Sequence, residues 1–309
     1  MQEERKSKAK KSIKIILAVV LIAAAAVAVW FILGGKDAFD GLENTVGISD
    51  TAVSETDGLT ITYFDVGQGD CALIACDGKT VLIDAGEAVY SEKIIRALNL
   101  LGIRELDYAV CSHFHSDHIG SMPAVIEEFA PSQIIMPALS PEYVPDTYIY
   151  GKLLESTEEC NAEIINPLPG DSFTLGTAKF TVLGPLNELT ENQNDISLVI
   201  KLTYGERSLL FTGDAEKDEE KDIVDSGADL ESDVLKVGHH GSSNSSSLEF
   251  LAAVKPSFCI ISVGKDNDYG HPHEKTINNI MRYTDKIYRT DICGDIHLTC
   301  DGKEIKIEY

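Results

Sequence analysis

The chain has 309 residues, of which 44% are hydrophobic and 25% are charged, values in the ordinary range of globular proteins. Its 26 lysines and arginines face 50 aspartates and glutamates, so the net charge at pH 7 is −24. These figures exclude wholesale disorder. They also argue against an extended basic surface for nucleic acid, because such surfaces neutralise phosphates with lysine and arginine.

The first 14 residues form a basic tail, with six lysines and arginines against two glutamates. The rest of the chain keeps 20 basic and 48 acidic residues, a net charge of −28. The tail precedes a run without a charge from Ile15 to Leu33, which is long enough for a helix to cross the hydrocarbon core of a bilayer. Because basic residues before such a span stay in the cytoplasm, we predict a single-pass signal anchor with an extracytoplasmic domain. Cleavage as a signal peptide, which would give a secreted protein, is the alternative.

Residues 34–57 are rich in glycine, aspartate, serine and threonine, and we predict a flexible linker there. From residue 58 to residue 309, short apolar strands alternate with turns and helices, which predicts an α/β domain of two sheets covered by helices. We interpret the acidic run 216–222 as the solvated face of a helix, and the serine-rich segment 242–247 as flexible.

The individual elements follow from apolar runs bounded by turn residues. Strands are predicted at 59–65, 71–76, 80–84, 108–112, 133–136, 163–165, 179–183, 197–204, 208–212, 234–237, 258–263 and 296–299. The second and third of these strands form a hairpin through Asp77-Gly78. Helices are predicted at 91–101, 123–129, 215–226 and 275–282.

Three histidines and one aspartate fall within six positions directly after the predicted strand at 108–112. The chain has only eight histidines, so chance does not explain the cluster. Imidazole and carboxylate ligands without a thiolate suit Zn, Mn or Fe. On a loop that turns into a helix, His113 and His115 would hold one ion, and Asp117 and His118 would hold an adjacent second ion.

Further apolar strands end in residue types that bind metals. Asp84 ends the predicted strand at 80–84, and His239 and His240 follow the strand at 234–237. Asp214 follows the strand at 208–212, and a carboxylate at that position can bridge two ions. Each signal is weak alone, but together they predict a two-metal site at the strand ends.

The HxHxDH motif, with an upstream strand-DxG and downstream GD and HHG elements, resembles the metallo-β-lactamase fold superfamily. The segments FDVGQGD at 64–70 and KVGHHGS at 236–242 are similar in particular to the metallo-β-lactamase domain of ComEC-type competence proteins. The similarity extends over about 58–309. It implies an αββα sandwich that binds two divalent ions, Zn or Mn, and hydrolyses its substrate with a metal-bound hydroxide.

The resemblance also implies roles for single residues. The metal ligands would be His113, His115, Asp117, His118, Asp214 and His240. Asp84 would orient a ligand histidine by a hydrogen bond. The superfamily usually has another ligand histidine before Asp214, but none lies between His118 and His239 here. Asn194 or Asp195 is the candidate replacement.

For catalysis, the resemblance points to phosphodiester bonds and to Asp117, His239 and His271. His239, His271 and His273 are candidates to donate a hydrogen bond to a phosphate oxygen or to protonate a leaving group. The first hypothesis is therefore an anchored extracytoplasmic phosphodiesterase or nuclease. The oligomeric state stays open.

Two alternatives remain at this stage. The first is a cell-envelope phosphodiesterase similar to a teichoic-acid phosphocholine esterase, and the acidic body favours such a substrate over long DNA. The second is a non-catalytic binding module on the same scaffold, and the presence of all six ligand candidates argues against it.

Overall fold

The computed structural model of the chain describes residues 58–187 and 190–309. The predicted anchor at 15–33 and linker at 34–57 lie outside these residues and stay predictions. Within the described ranges, no helix is long and apolar enough to cross a membrane.

Two β-sheets form the centre of the domain. Their strands are β1 (Leu59–Tyr63), β2 (Ala72–Cys76), β3 (Lys79–Ile83), β4 (Tyr108–Val110), β5 (Gln133–Ile135), β6 (Glu163–Ile165), β7 (Ser172–Leu175), β8 (Ala178–Gly184), β9 (Val199–Tyr204), β10 (Arg207–Phe211), β11 (Val234–Lys236), β12 (Phe258–Ile261), β13 (Ile287–Arg289), β14 (Ile296–Cys300) and β15 (Ile305–Glu308). The first sheet has the order β15-β14-β1-β2-β3-β4-β5-β6, and the second has the order β13-β12-β11-β10-β9-β8-β7.

Strands β3 to β6 run parallel in the first sheet, and β10 to β13 run parallel in the second. The carboxyl ends of each parallel group therefore lie at one edge of its sheet. The predicted hairpin between β2 and β3 is confirmed. Asp77 and Gly78 both have positive φ, at 52° and 74°, as a two-residue type I′ turn requires.

The helices are α1 (Ser91–Leu100), α2 (Ser116–Ile119), α3 (Met122–Phe129), α4 (Tyr148–Glu159), α5 (Lys217–Asp225), α6 (Leu248–Val254), α7 (Glu274–Ile280) and α8 (Thr290–Cys293). Short 3-10 turns lie at Ala88–Tyr90, Pro141–Tyr143, Gln193–Ile196 and Gly238–Gly241. The four predicted helices are confirmed as α1, α3, α5 and α7, with small shifts of their ends.

The inner faces of the two sheets share one apolar core. Tyr63 of the first sheet stacks on Phe211 of the second, with ring centroids 6.1 Å apart. Burial of each large side chain contributes about 1.5–3 kcal/mol. On the outer face of the second sheet, Ile223 of α5 and Phe250 of α6 pack with Leu235 in a second core. This arrangement confirms the predicted α/β fold with two sheets and positions the strand ends that carry the candidate site.

Some elements were not predicted from the sequence, namely α4, α6, α8, β7, β13 and β15. Helix α4 contains Gly151 and leaves Tyr148 exposed, so its apolar pattern is weak. Strand β15 lies at the edge of its sheet and alternates between exposed and half-buried residues. Neighbouring structure, more than their own sequence, therefore holds these segments in place.

The interpretation of 216–222 as a solvated face is wrong for two of its residues. Glu219 and Glu220 are only 1% and 2% exposed. Glu219 accepts a hydrogen bond from the backbone N–H of Leu186 at 2.8 Å, and Glu220 accepts one from that of Ser247 at 2.9 Å and another from Ser246. These carboxylates cap loop backbone that the fold buries.

The serine-rich segment 242–247 is likewise buried over much of its length, so the expectation of a flexible segment is wrong. The Ser245 hydroxyl donates to the carbonyl of Ala215 at 2.7 Å, and the Ser247 side chain caps the start of α6. Serines in this segment bind backbone groups that a tight loop leaves without partners.

Replacing Glu219 by glutamine should change the pH dependence of stability. Burial raises the pKa of Glu219 from 4.5 to about 7. The group therefore favours the folded state below the unfolded pKa, and this stabilisation is lost as the pH rises from 4.5 to about 7. We expect the free energy of unfolding of the variant, relative to the native chain, to rise by about 3 kcal/mol across this window.

Chemical denaturation of the full chain between pH 4.5 and 8 measures this change. Asp218→Asn, at an exposed position in the first turn of the same helix, is the matched control. Parallel pH curves for the native chain and Glu219→Gln would show that this carboxyl is not buried as described.

Candidate metal centre

The candidate ligands lie in loops that leave the carboxyl ends of parallel strands in both sheets. Asp84 follows β3, and the segment 112–118 follows β4. Asp214 follows β10, and the 3-10 turn with His239 and His240 follows β11. The two sheets meet there, since the backbone N–H of Leu198 donates to the carbonyl of Ser112 at 2.9 Å. One edge of the sandwich thus gathers residues that are far apart in sequence.

Four of the candidate ligands form a tight cluster. Asp117, His118, Asp214 and His240 each offer a ligand atom, and all four atoms lie within 4.8 Å of one another. His118 Nε2 lies 3.2 Å from Asp214 Oδ1. His240 Nε2 lies 3.2 Å from Asp117 Oδ2 and 3.5 Å from Asp214 Oδ2. Asp214 therefore faces both histidines.

His113 and His115 extend this cluster on one side. Nε2 of His113 lies 3.0 Å from Nδ1 of His115, and the His113 ring centroid is 4.1 Å from that of His118. Burial, followed by the neighbouring His118, lowers the pKa of His113 well below its usual value. Metal ligation requires the neutral imidazole that this environment favours. The structure thus brings together all six residues that the sequence predicts as ligands.

The chemistry of the cluster fits a divalent metal ion. His118 Nε2 and Asp214 Oδ1 are buried and lack an aligned hydrogen bond, a condition that costs about 1–3 kcal/mol for each group. Although burial opposes a charged ring, Asp214 and Asp84 raise the pKa of His118 well above its usual value. The negative field that raises this pKa also attracts a cation. Nitrogen and oxygen donors of this kind suit Zn, Mn or Fe.

Asp84 holds the loop after β4 and orients His118. Its Oδ1 accepts from the backbone N–H of Ser112 at 2.7 Å, and its Oδ2 accepts from the Ser112 hydroxyl at 2.6 Å. Nδ1 of His118 donates to the same Oδ2 at 2.8 Å. With its hydrogen on Nδ1, His118 turns Nε2 toward Asp214. This is the geometry in which a carboxylate fixes the tautomer of a ligand histidine.

A buried ion pair that the sequence analysis did not identify supports His240. Nδ1 of His240 donates to the carbonyl of Ser262 at 2.9 Å and lies 3.3 Å from Asp70 Oδ1. Asp70 Oδ2 is 2.7 Å from Nζ of Lys236, and both side chains are buried. Although burial opposes ionisation, Lys236 and His240 lower the pKa of Asp70 to about 2. Both members of the pair lie in the segments that carry the ComEC resemblance.

The loop that holds Asp70 also supports Asp117. The backbone N–H of Asp70 donates to the carbonyl of Asp117 at 3.1 Å. At Gly69 the two chain segments approach so closely that a Cβ would lie 2.4 Å from the same carbonyl oxygen. A glycine is therefore required at this point of the FDVGQGD segment.

The side chains of Asn194 and Asp195, the candidates to replace the missing ligand histidine, lie in different surroundings. Both carboxylate oxygens of Asp195 are engaged, one by the backbone N–H of Glu216 at 2.9 Å and the other by Nδ2 of Asn192 at 2.9 Å. Asn194 is 8% exposed and lines the cavity beside the cluster, and its Oδ1 has no hydrogen-bond partner among the described residues. Asn194 is therefore the better placed of the two.

A cavity of about 300 Å³ opens beside the cluster, and His239, His271, Gln68 and Tyr269 contribute to its wall. Burial and neighbouring histidines lower the pKa of His271 to about 4, so its ring is neutral at pH 7 and suits hydrogen bonding better than acid catalysis. His273 accepts a hydrogen bond from the backbone N–H of Ser243 at 2.8 Å. His273 therefore has a structural contact, while His239 and His271 face the cavity.

Comparison with known proteins identifies a matching family and related sequences. A family model described as "Metallo-beta-lactamase superfamily" matches residues 64–264. ComE operon protein 3 of Bacillus subtilis is 31% identical over 254 residues, and Competence protein ComA of Neisseria gonorrhoeae is 32% identical over 248 residues. These alignments cover 76% and 79% of this chain but 32% of each relative, so the chain spans about a third of the length of these relatives.

A solved structure shows the same fold at low sequence identity. CmlA, described as a diiron beta-hydroxylase from Streptomyces venezuelae, is similar with a TM-score of 0.52 and 14% identity. The match covers 79% of this chain and 54% of that chain. At this identity the likeness concerns the fold alone.

Proposed function

Since the chain belongs to the metallo-β-lactamase superfamily, we propose that it is a metal-dependent hydrolase of phosphodiester bonds, similar in type to the corresponding domain of ComEC proteins. The observation that carries the proposal is the cluster of half-buried Asp117 with buried His118, Asp214 and His240. Residues 15–33 anchor the enzyme in the membrane and leave the hydrolase domain outside the cytoplasm, as the uncharged run and the basic tail before it suggest.

In this proposal the six candidate residues hold two ions. His113 and His115 would hold one ion, and Asp117, His118 and His240 would hold the other. Asp214 would contribute to both, since it contacts His118 and His240 and its charge also acts on His113 and His115. Divalent ions at such a site neutralise charge on phosphoryl oxygens and lower the pKa of a bound water.

The charges of the protein make these ions necessary for the binding of substrate. Asp84, Asp117 and Asp214 place three carboxylates at the site, and Lys236 is already paired with Asp70. A phosphodiester is an anion, which three carboxylates repel without added positive charge. Chelation should therefore weaken substrate binding as well as hydrolysis. A hydrogen bond from His271 at the cavity wall would then hold a phosphate oxygen.

Two substrate classes compete. The relatives named for competence favour DNA as the substrate. The net charge of −28 outside the tail opposes binding of a long polyanion and favours a small or envelope phosphodiester, such as a phosphocholine ester of teichoic acid.

Hydrolysis assays on the full chain in mild detergent test the proposal. Metal-depleted protein is reloaded with Mn²⁺ or Zn²⁺ and incubated with bis-p-nitrophenyl phosphate, single-stranded DNA or a phosphocholine ester. We expect metal-dependent hydrolysis that is lost in Asp117→Ala. Cleavage of the small diesters without DNA would support the envelope substrate. Activity that survives in Asp117→Ala would contradict the site, and a loaded chain without any hydrolysis would favour the binding module.

Replacing Asn194 by alanine should weaken one of the two ion sites. The amide Nδ2 of Asn194 donates to Glu216 Oε1 at 3.1 Å, which fixes the side chain and leaves Oδ1 free to bind. We expect calorimetric titration of Mn²⁺ into the metal-depleted full chain to show an affinity at least tenfold lower for one ion.

The matched control is Asp195→Asn, because the Asp195 side chain binds backbone and Asn192 instead of facing the cavity. This variant should keep both affinities within about twofold of the native values. Equal affinities in the native chain and Asn194→Ala would remove Asn194 from the candidate ligands.

A further inference from the structure

Glu216 stands two residues after Asp214 and is held from three sides. Its backbone N–H donates to Asp195 Oδ1 at 2.9 Å. Asn194 Nδ2 donates to its Oε1 at 3.1 Å, and Asn192 Nδ2 donates to its Oε2 at 3.3 Å. All three partners belong to the segment 192–195, which takes the place of the histidine element usual in the superfamily. These hydrogen bonds fix the carboxylate beside the cavity, whereas the side chain of a solvated surface glutamate would not be held in one position.

The fixed carboxylate faces His239. Oε1 of Glu216 lies 3.1 Å from Nδ1 of His239, a buried atom that lacks an aligned hydrogen bond among the described residues. The other ring nitrogen, Nε2, is 3.7 Å from Asp214 Oδ2, and His239 lines the cavity. The ring therefore has one nitrogen toward the carboxylate and the other toward the candidate metal centre.

The backbone of His239 is held in an unusual conformation. Its φ and ψ are both 48°, and the next residue, His240, has a φ of 52°. A side-chain-bearing residue in this left-handed region costs about 1–2 kcal/mol. Such strain persists where the surrounding structure fixes it, which is common at functional sites. The turn places His240 in the metal cluster and His239 beside Glu216.

We propose that Glu216 is a positioning residue for His239, a role that rests on the proposed function. Glu216 accepts a hydrogen bond from the N–H at Nδ1 and keeps the ring in that tautomer. Nε2 then presents its lone pair to the cavity, where it accepts a hydrogen bond from water and orients that water toward the phosphodiester. The segment 192–195 holds this carboxylate in place by hydrogen bonds. The segment that replaces the usual histidine element of the superfamily therefore fixes the position of Glu216.

The tautomer of His239 tests this role without any activity. Two-bond ¹H–¹⁵N spectra of the metal-free full chain with ring-labelled histidine are recorded at pH 8, and His239→Gln assigns the signals. We expect the hydrogen on Nδ1 in the native chain. In Glu216→Ala it should shift largely to Nε2, while Glu216→Gln, whose amide oxygen can still accept, should retain much of the native tautomer. Asp222→Ala, on the exposed side of α5, the helix that begins directly after Glu216, should match the native chain.

The loaded enzyme provides a second measurement. In Glu216→Ala we expect kcat on a phosphodiester to fall about tenfold or more, with KM within twofold of the native value. The same tautomer in the native chain and in both Glu216 variants would overturn the proposal. If the loaded native chain hydrolyses no phosphodiester, the proposed function fails, and the spectra still decide whether Glu216 positions His239.

Discussion

Replacing Asp214 by asparagine is expected to lower metal-dependent phosphodiester hydrolysis by about a thousandfold. Asp214 is buried and faces His118 with one oxygen and His240 with the other. Asparagine keeps the shape but removes the negative charge and one of the two oxygen donors. A loss of about 4 kcal/mol in stabilisation by the ions corresponds to this factor. The measurement is kcat/KM on bis-p-nitrophenyl phosphate for the metal-loaded full chain.

Asp218→Asn is the matched control for this change. Asp218 is exposed in the first turn of α5, four residues from Asp214, and makes no contact with the cluster. Its kcat/KM should stay within about twofold of the native value. If Asp214→Asn keeps more than a tenth of the native kcat/KM, the carboxylate is not shared by two ions.

The largest expected effect on stability is that of Lys236→Met. Nζ of Lys236 lies 2.7 Å from Asp70 Oδ2, and both side chains are buried. Removing one partner of a buried ion pair leaves the other charge uncompensated, which costs about 3–5 kcal/mol. Chemical denaturation of the full chain should show a loss of this size in the free energy of unfolding.

A second variant separates the ion pair from simple packing. In Asp70→Asn/Lys236→Met no isolated charge remains, so we expect the double variant to recover a large part of the lost stability. The native pair should also respond to acid. Because the pKa of Asp70 is lowered to about 2, its stabilisation is present above 3.8 and is lost as the pH falls through 2. A single variant as stable as the native chain would contradict the pair.

Much of the candidate metal centre was predictable from the sequence, because its ligands follow apolar strands. Parallel strands place their carboxyl ends at one edge of a sheet, so Asp84 and the segment 112–118 share one edge, and Asp214 and His240 share the corresponding edge of the other sheet. The family resemblance implied that these two edges meet. The structure brings these residues together, and Asp84 contacts His118 as the resemblance implied.

The supporting charges were not predictable in the same way. Asp70 and Lys236 are 166 positions apart, and Glu216 looked like one acid among several in a solvated run. The sequence does not distinguish a charged residue that the fold buries from one that it leaves on the surface. Only the structure shows which partner offsets the free-energy cost of burying the charge. The same reason explains Glu219 and Glu220, which cap buried loop backbone.

The central claim is that this edge of the sandwich binds two divalent ions through the clustered histidines and aspartates. Calorimetric titration of Zn²⁺ or Mn²⁺ into the metal-depleted full chain tests it most directly. We predict two ions bound per native chain and at least one fewer in Asp117→Ala. This variant lacks the carboxylate that lies 3.2 Å from Nε2 of His240 in the native chain. Equal binding by the native chain and by Asp117→Ala would contradict the claim.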